Sequence, residues 1–178
     1  MATMEPSRII IIRHGEKSQN KNNRNLQMPK GYERAGKLAT LIPLKFKKID
    51  VLYAPSIGPD RQSIRVIETI TPLSKFLNLP ILTTYFNSKD EIQKMVKFIR
   101  TNPEYSGKTV LICWHHHKIP FLTKEFKPIN INQVPNHWPN DRFDVIWILK
   151  KTPKGIIFSQ KPQKLLIGDK VSVIPLKK

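Results

Sequence analysis

Residues 9–12 are four consecutive isoleucines that run straight into Arg13-His14-Gly15-Glu16. Such a run is too short to cross a membrane and too uniformly apolar for a half-exposed strand, so it reads as a strand buried on both faces. Open α/β sheets present chemistry at the carboxyl ends of their strands, and this strand ends in a cation and an imidazole. Gly15 is expected to let the backbone turn there. A second run of the same kind, Thr109-Val110-Leu111-Ile112-Cys113-Trp114, leads directly into His115, His116 and His117. If the two strands are adjacent and parallel, their histidines meet at one rim.

The intervening sequence supports that geometry. Residues 17–25 are Lys-, Asn- and Gln-rich without periodicity and read as an exposed loop. Ala35, Leu38, Ala39 and Ile42 then fall on one helical stripe, which Pro43 is expected to end. Residues 49–53 read as a short strand and residues 54–59 as the loop at its end. Asp60 is a candidate N-cap for a helix carrying Arg65 in its first turns and Val66, Ile70, Leu73 and Leu77 on its apolar face, with a kink or break expected at Pro72. Residues 80–82 read as another short strand. Ser88-Lys89-Asp90-Glu91 is a capping box opening a helix with Ile92, Met95, Val96 and Ile99.

Beyond the histidines, residues 143–149 and 156–160 flank a turn with Pro153 and Gly155 and predict a hairpin, its edges guarded by Lys150, Lys151, Lys154 and Lys161. Residues 171–174 read as a last strand. Alternating strands and helices followed by a hairpin predict a three-layer α/β/α fold with a mostly parallel central sheet and a C-terminal β-hairpin. No repeat or low-complexity linker interrupts the chain, so one domain over residues 1–178 is expected.

Composition narrows the function. With 39% apolar residues, three Trp, eight Phe and four Tyr, the chain is not of the highly charged, aromatic-poor disordered kind. Its single cysteine, Cys113, cannot form an internal disulfide and reads as packing in a reducing compartment. No signal core or membrane span is evident, and the expected location is cytoplasmic. The 31 Lys and Arg against 13 Asp and Glu give a formal charge of +18, which attracts phosphorylated metabolites, nucleic acid and other polyanions. No nucleic-acid motif with interleaved aromatics accompanies that charge.

Convergence of His14, Arg13, Arg65 and one of the later histidines suits a phosphate guest. Guanidinium forks match phosphate oxygens without titrating, and the surrounding cations keep an imidazole neutral and nucleophilic. A backbone carbonyl on one ring nitrogen would fix the tautomer, and the second histidine would stabilise charge on the transferring phosphoryl group. This chemistry calls for no cofactor and no metal. The three consecutive histidines lack a carboxylate or Cys at ligand spacing, so any metal they bind is expected to be adventitious.

These residues resemble the histidine phosphatase superfamily, which includes phosphoglycerate mutases and many small phosphatases. The resemblance rests on Arg13-His14-Gly15 after an apolar strand, on Gly31, Arg34, Ala35 and Leu38, on Tyr53-Ala54-Pro55-Ser56, on Arg65-Val66-Ile67-Glu68-Thr69, and on the strand ending at Trp114. It implies that His14 is phosphorylated during turnover, that Arg13 and Arg65 bind phosphate, and that Asn20 contacts it. It further implies a phosphoester substrate and a phosphatase rather than a mutase, the chain being short for the lid-bearing mutases. Aligning Ile119 favours His116 as the second histidine, with His115 as the alternative. On an extended backbone only one of the two faces the site. The family's acid has no carboxylate in residues 83–88, which leaves His115, Asp90 and Glu91 as candidate proton donors. A non-catalytic phosphate- or polyanion-binding protein of the same fold is the competing expectation. Residues 138–144 are expected to border the pocket or to pack beneath it, and His137 has no assigned role.

Overall fold

A computed structural model of the chain describes residues 5–59 and 62–176. Asp60, the candidate helix cap, lies outside the described residues. The six isoleucine-rich residues of β1 (Arg8–Arg13) pair in parallel with β4 (Thr109–Trp114), with Arg13 opposite Trp114. Beyond β4 come β2 (Val51–Tyr53) and β3 (Ile81–Leu82), also parallel. On the other side β1 pairs antiparallel with β5 (Val145–Thr152), which turns through Pro153 and Lys154 into β6 (Gly155–Pro162). The sheet order is β3-β2-β4-β1-β5-β6. It is the expected mostly parallel sheet with a C-terminal hairpin.

The isoleucine run explains why β1 lies at the centre. Successive side chains leave a strand on opposite faces, so an uninterrupted apolar run suits two cores at once. Ile10 and Ile12 pack with Leu38, Ile42, Val66, Ile70 and Leu73 of helices α1 (Lys30–Phe46) and α2 (Ile64–Leu77). Ile9 and Ile11 pack with Ile92, Met95, Ile99 and Leu122 of α3 (Lys89–Thr101) and α4 (Ile119–Glu125) on the opposite face. These isoleucines are at most 3% exposed, and full burial contributes about 1.5–3 kcal/mol per side chain. Cys113 is buried and free, consistent with packing. Among the described residues, no helix is long and apolar enough to cross a membrane.

Three local expectations are corrected. The first helix continues through Pro43 to Phe46, because Phe46 is buried beneath the sheet and holds the last turn. Of the kink or break expected at Pro72, the break does not occur: helix α2 runs on through the proline, its face of Val66, Ile70 and Leu73 wholly buried on either side of it. Burial overrides the local cost of proline in both. Residues 171–174 form no strand: side chains take up their carbonyls, with Arg142 donating to Ser172 and Gln160 to Ile174. Gly15 serves the strand end through close packing rather than through a positive φ. A β-carbon there would lie 3.1 Å from the Gly31 carbonyl oxygen, and one on Gly31 would lie 2.7 Å from the Glu16 carbonyl oxygen. These glycines let the strand end and the α1 start touch through backbone.

Candidate active site

The parallel register of β1 and β4 brings their carboxyl ends side by side, so the residues that follow, His14 and His115, emerge opposite each other. Their ring centroids are 5.9 Å apart, and His14 stands 6.4 Å from His116. The backbone does not stay extended after Trp114 but turns before α4. All three consecutive histidines therefore line one cavity of about 160 Å³ with His14 and Arg65. The expectation that only one face of an extended run reaches the site is thereby overturned.

His14 is held from two sides. Its Nδ1–H donates to the Gly15 carbonyl at 2.7 Å, which leaves Nε2 with the lone pair. The Gly15 N–H donates to Thr69 Oγ1 at 2.8 Å, and the Thr69 hydroxyl donates to the Arg65 carbonyl. The arginine helix thus grips the end of the histidine strand directly. Burial, and after it the Arg13 guanidinium, hold the His14 imidazole well below its ordinary pKa of 6.5. Burial likewise pushes His115 down to about 3 and His116 down to about 4, with neighbouring histidines and arginines adding to the shift.

Arg13 does not line the cavity; it is fully buried beside it. Its Nη1 donates to the carbonyls of Pro139, Asn140 and Arg142, and its guanidinium carbon lies 3.8 Å from the centre of the Phe143 ring. Its Nε and Nη2 have no partner among the described residues, and burial lowers its pKa to about 9. The segment of residues 138–144 both borders the site and packs. Asn140 Oδ1 is 2.7 Å from His116 Nε2, while Trp138 is wholly buried. Glu16, two residues after His14, is buried with Arg34, which also pairs with Asp169 at 2.7 Å.

Arg65 reaches the cavity from the start of α2, its Nε donating to the Arg24 carbonyl at 3.0 Å. Asn20 does not line the histidine cavity. It lies on a neighbouring groove, its Oδ1 accepting the Asn22 N–H. Asp90 and Glu91 stand at the start of α3, where the Ser88 hydroxyl caps the Glu91 N–H and Glu91 pairs with Lys94; neither lines the cavity. Sequence reasoning missed Lys17, Arg24 and Gln62 as lining residues and Ser63, whose Oγ is 3.3 Å from His115 Nε2. Only their positions beside recognised motifs could have marked them. His137 lines a different cavity with Lys124 and Asn136. Among the described residues, no cluster of three or more His, Cys, Asp or Glu is arranged to hold a metal.

No family model matches the sequence, and no curated protein matches it either. Solved structures do. The protein histidine phosphatase SixA, complexed with tungstate, superposes with a TM-score of 0.60 at 15% identity, covering 88% of this chain and 97% of that one. A phosphoserine phosphatase variant from Entamoeba histolytica, in complex with phosphoserine, gives 0.60 at 13%, covering 90% and 99%. The fold is that of the histidine phosphatase superfamily. A phosphoglycerate mutase from Plasmodium falciparum shares the histidine phosphatase fold with a TM-score of 0.57 at 19% identity, covering 96% of this chain and 95% of its own. On this histidine phosphatase fold, the rim where β1 and β4 end carries His14, His115, His116 and Arg65 together.

Proposed function

We propose that the chain is a phosphatase that hydrolyses phosphomonoesters through a phosphohistidine on His14, without a metal ion. The observation that carries this reading is the 2.7 Å contact from His14 Nδ1–H to the Gly15 carbonyl, which leaves a neutral Nε2 nucleophile. In the first step His14 Nε2 bonds to phosphorus as the bond from phosphorus to the leaving oxygen breaks, and that oxygen departs with a proton. In the second, water adds to phosphorus as the P–N bond breaks and returns a proton to the group that donated one in the first step, releasing orthophosphate and restoring neutral His14. Arg65 and the opposing histidines neutralise the phosphoryl oxygens, and Arg13 supplies a fixed positive field from beneath.

The strand register favours His115 over His116 as the second histidine, since His115 is the residue opposite His14. A bound phosphate dianion favours imidazolium, so substrate raises the His115 pKa from its empty-site value and makes it the proton donor of this reading. Fold relatives that include a protein histidine phosphatase and a phosphoserine phosphatase add support for phosphoryl transfer.

The test is turnover of p-nitrophenyl phosphate with trapping of an acid-labile phosphate on His14. His14→Ala is expected to lower the rate at least about a thousandfold. Equal rates for wild type and variant, or a rate abolished by chelator, would overturn the reading. One observation favours a non-catalytic phosphate binder instead: no described residue lining the cavity is a carboxylate. Orthophosphate binding with no turnover of any phosphoester supports that alternative.

A further inference from the structure

The histidine cavity is small, about 160 Å³, below the range of about 300–1,000 Å³ typical of whole small-molecule ligands. It has room for a phosphoryl group and little else. A groove of about 550 Å³ is lined by Lys17, Asn20, Lys21, Arg24 and Arg65, among others. Lys17, Arg24 and Arg65 line both spaces.

The groove is built rather than incidental. The loop that forms it is pinned where Lys17 bridges Leu26, where Arg65 donates to the carbonyls of Arg24 and Asn23, and where Glu68 accepts the Leu26 N–H at 2.8 Å. Glu68 is the nearby carboxylate, and it is occupied by Leu26, Asn25 and Tyr32. No described carboxylate forms an ion pair with Lys17, Lys21, Arg24 or Arg65. Four cations converge on a concave space with no described carboxylate in its lining, an arrangement that concentrates anionic ligands. Arginine and lysine side chains together supply fork and point-charge contacts for phosphate.

We propose that this groove binds a second phosphate of the same substrate, so that the preferred substrate is a small molecule carrying two or more phosphate groups. One phosphate sits against His14 and another over Lys17 and Lys21. The limited size of the groove, about 550 Å³, favours such a molecule over a polynucleotide, which would need a longer track along the surface. The proposal rests on the His14 cavity being the phosphoryl site.

Calorimetric titration of the full chain with inorganic tripolyphosphate and with orthophosphate, at about 0.15 M salt, tests it without requiring turnover. Tripolyphosphate is expected to bind at least about tenfold more tightly. Lys21→Ala or Lys21→Glu should remove most of that difference, whereas Lys154→Ala, at the β5–β6 turn, should leave it in place. Equal affinities for the two anions, or equal losses from the Lys21 and Lys154 variants, would overturn the proposal. Displacement of tripolyphosphate by a random oligonucleotide at lower concentration would overturn it in favour of a polynucleotide. Hydrolysis of p-nitrophenyl phosphate with no preference for tripolyphosphate defeats the second subsite alone; preferential tripolyphosphate binding without any hydrolysis defeats the phosphatase reading alone.

Discussion

The two strand ends that face each other across the cavity are held in different ways. After β1, the backbone and side chains around His14 are tied into the scaffold at several points: Nδ1 to Gly15, the Gly15 N–H to Thr69, Arg13 Nη1 to three carbonyls, and Glu16 to Arg34. After β4, each imidazole has a single side-chain hydrogen-bond partner among the described residues: His115 with Ser63 at 3.3 Å, His116 with Asn140, and His117 with Asn87 at 3.4 Å. The difference suits the two tasks that the proposed reaction sets. A nucleophile needs its lone pair aimed before substrate arrives, whereas groups that follow charge through a reaction gain from room to move.

The largest expected effect breaks the firm side. Arg34→Met leaves Glu16 and Asp169 buried without their shared partner and should cost about 3–5 kcal/mol, measured by urea unfolding. A loss below about 1 kcal/mol would mean that the end of β1 is no better fixed than that of β4. Thr69→Val removes the acceptor of the Gly15 N–H and should cost about 1–3 kcal/mol, with a matching fall in turnover.

Acid probes both sides. The folded His115 value of about 3 lies below its ordinary value of 6.5, so the unfolded chain takes up the proton first. Stability from this residue is therefore fully present above about pH 6.5 and declines as pH falls toward 3. Between pH 7 and 5 the decline should be about 2 kcal/mol, and His115→Gln should flatten it. His14 shifts in the same direction and steepens the same limb. The smallest effect belongs to the loose side: Asn140→Ala should cost under about 1 kcal/mol. Because the Asn140 hydrogen bond raises the His116 pKa, its removal should move the His116 titration to lower pH, followed by NMR.

What could be read from the sequence depended on whether side chains carried the signal. The doubly buried strands, the α2 arginine and the hairpin were legible because apolar runs and turn residues encode them. The persistence of helix past Pro43 and Pro72 was not, because burial of Phe46 and Leu73 decides it over long range. His115, His116 and His117 read as alternatives since the turn after Trp114 has no local marker. Lys17 and Arg24 carry the same chemistry as many surface cations. The Arg13 cage was invisible because backbone carbonyls of Pro139, Asn140 and Arg142 build it, and any residue has a carbonyl.

That cage spans 126 to 129 residues of sequence, and the Arg34 to Asp169 pair spans 135. On the ribosome β1 emerges before β4 and β5, yet its arginine waits for carbonyls made more than a hundred residues later. A nascent chain stalled before Pro139 already holds both histidine-ended strands and still lacks the cage of Arg13, so the site is completed only late in translation. Long-range closure of this kind slows folding. It also keeps a partly synthesised chain from presenting the proposed phosphate site in finished form.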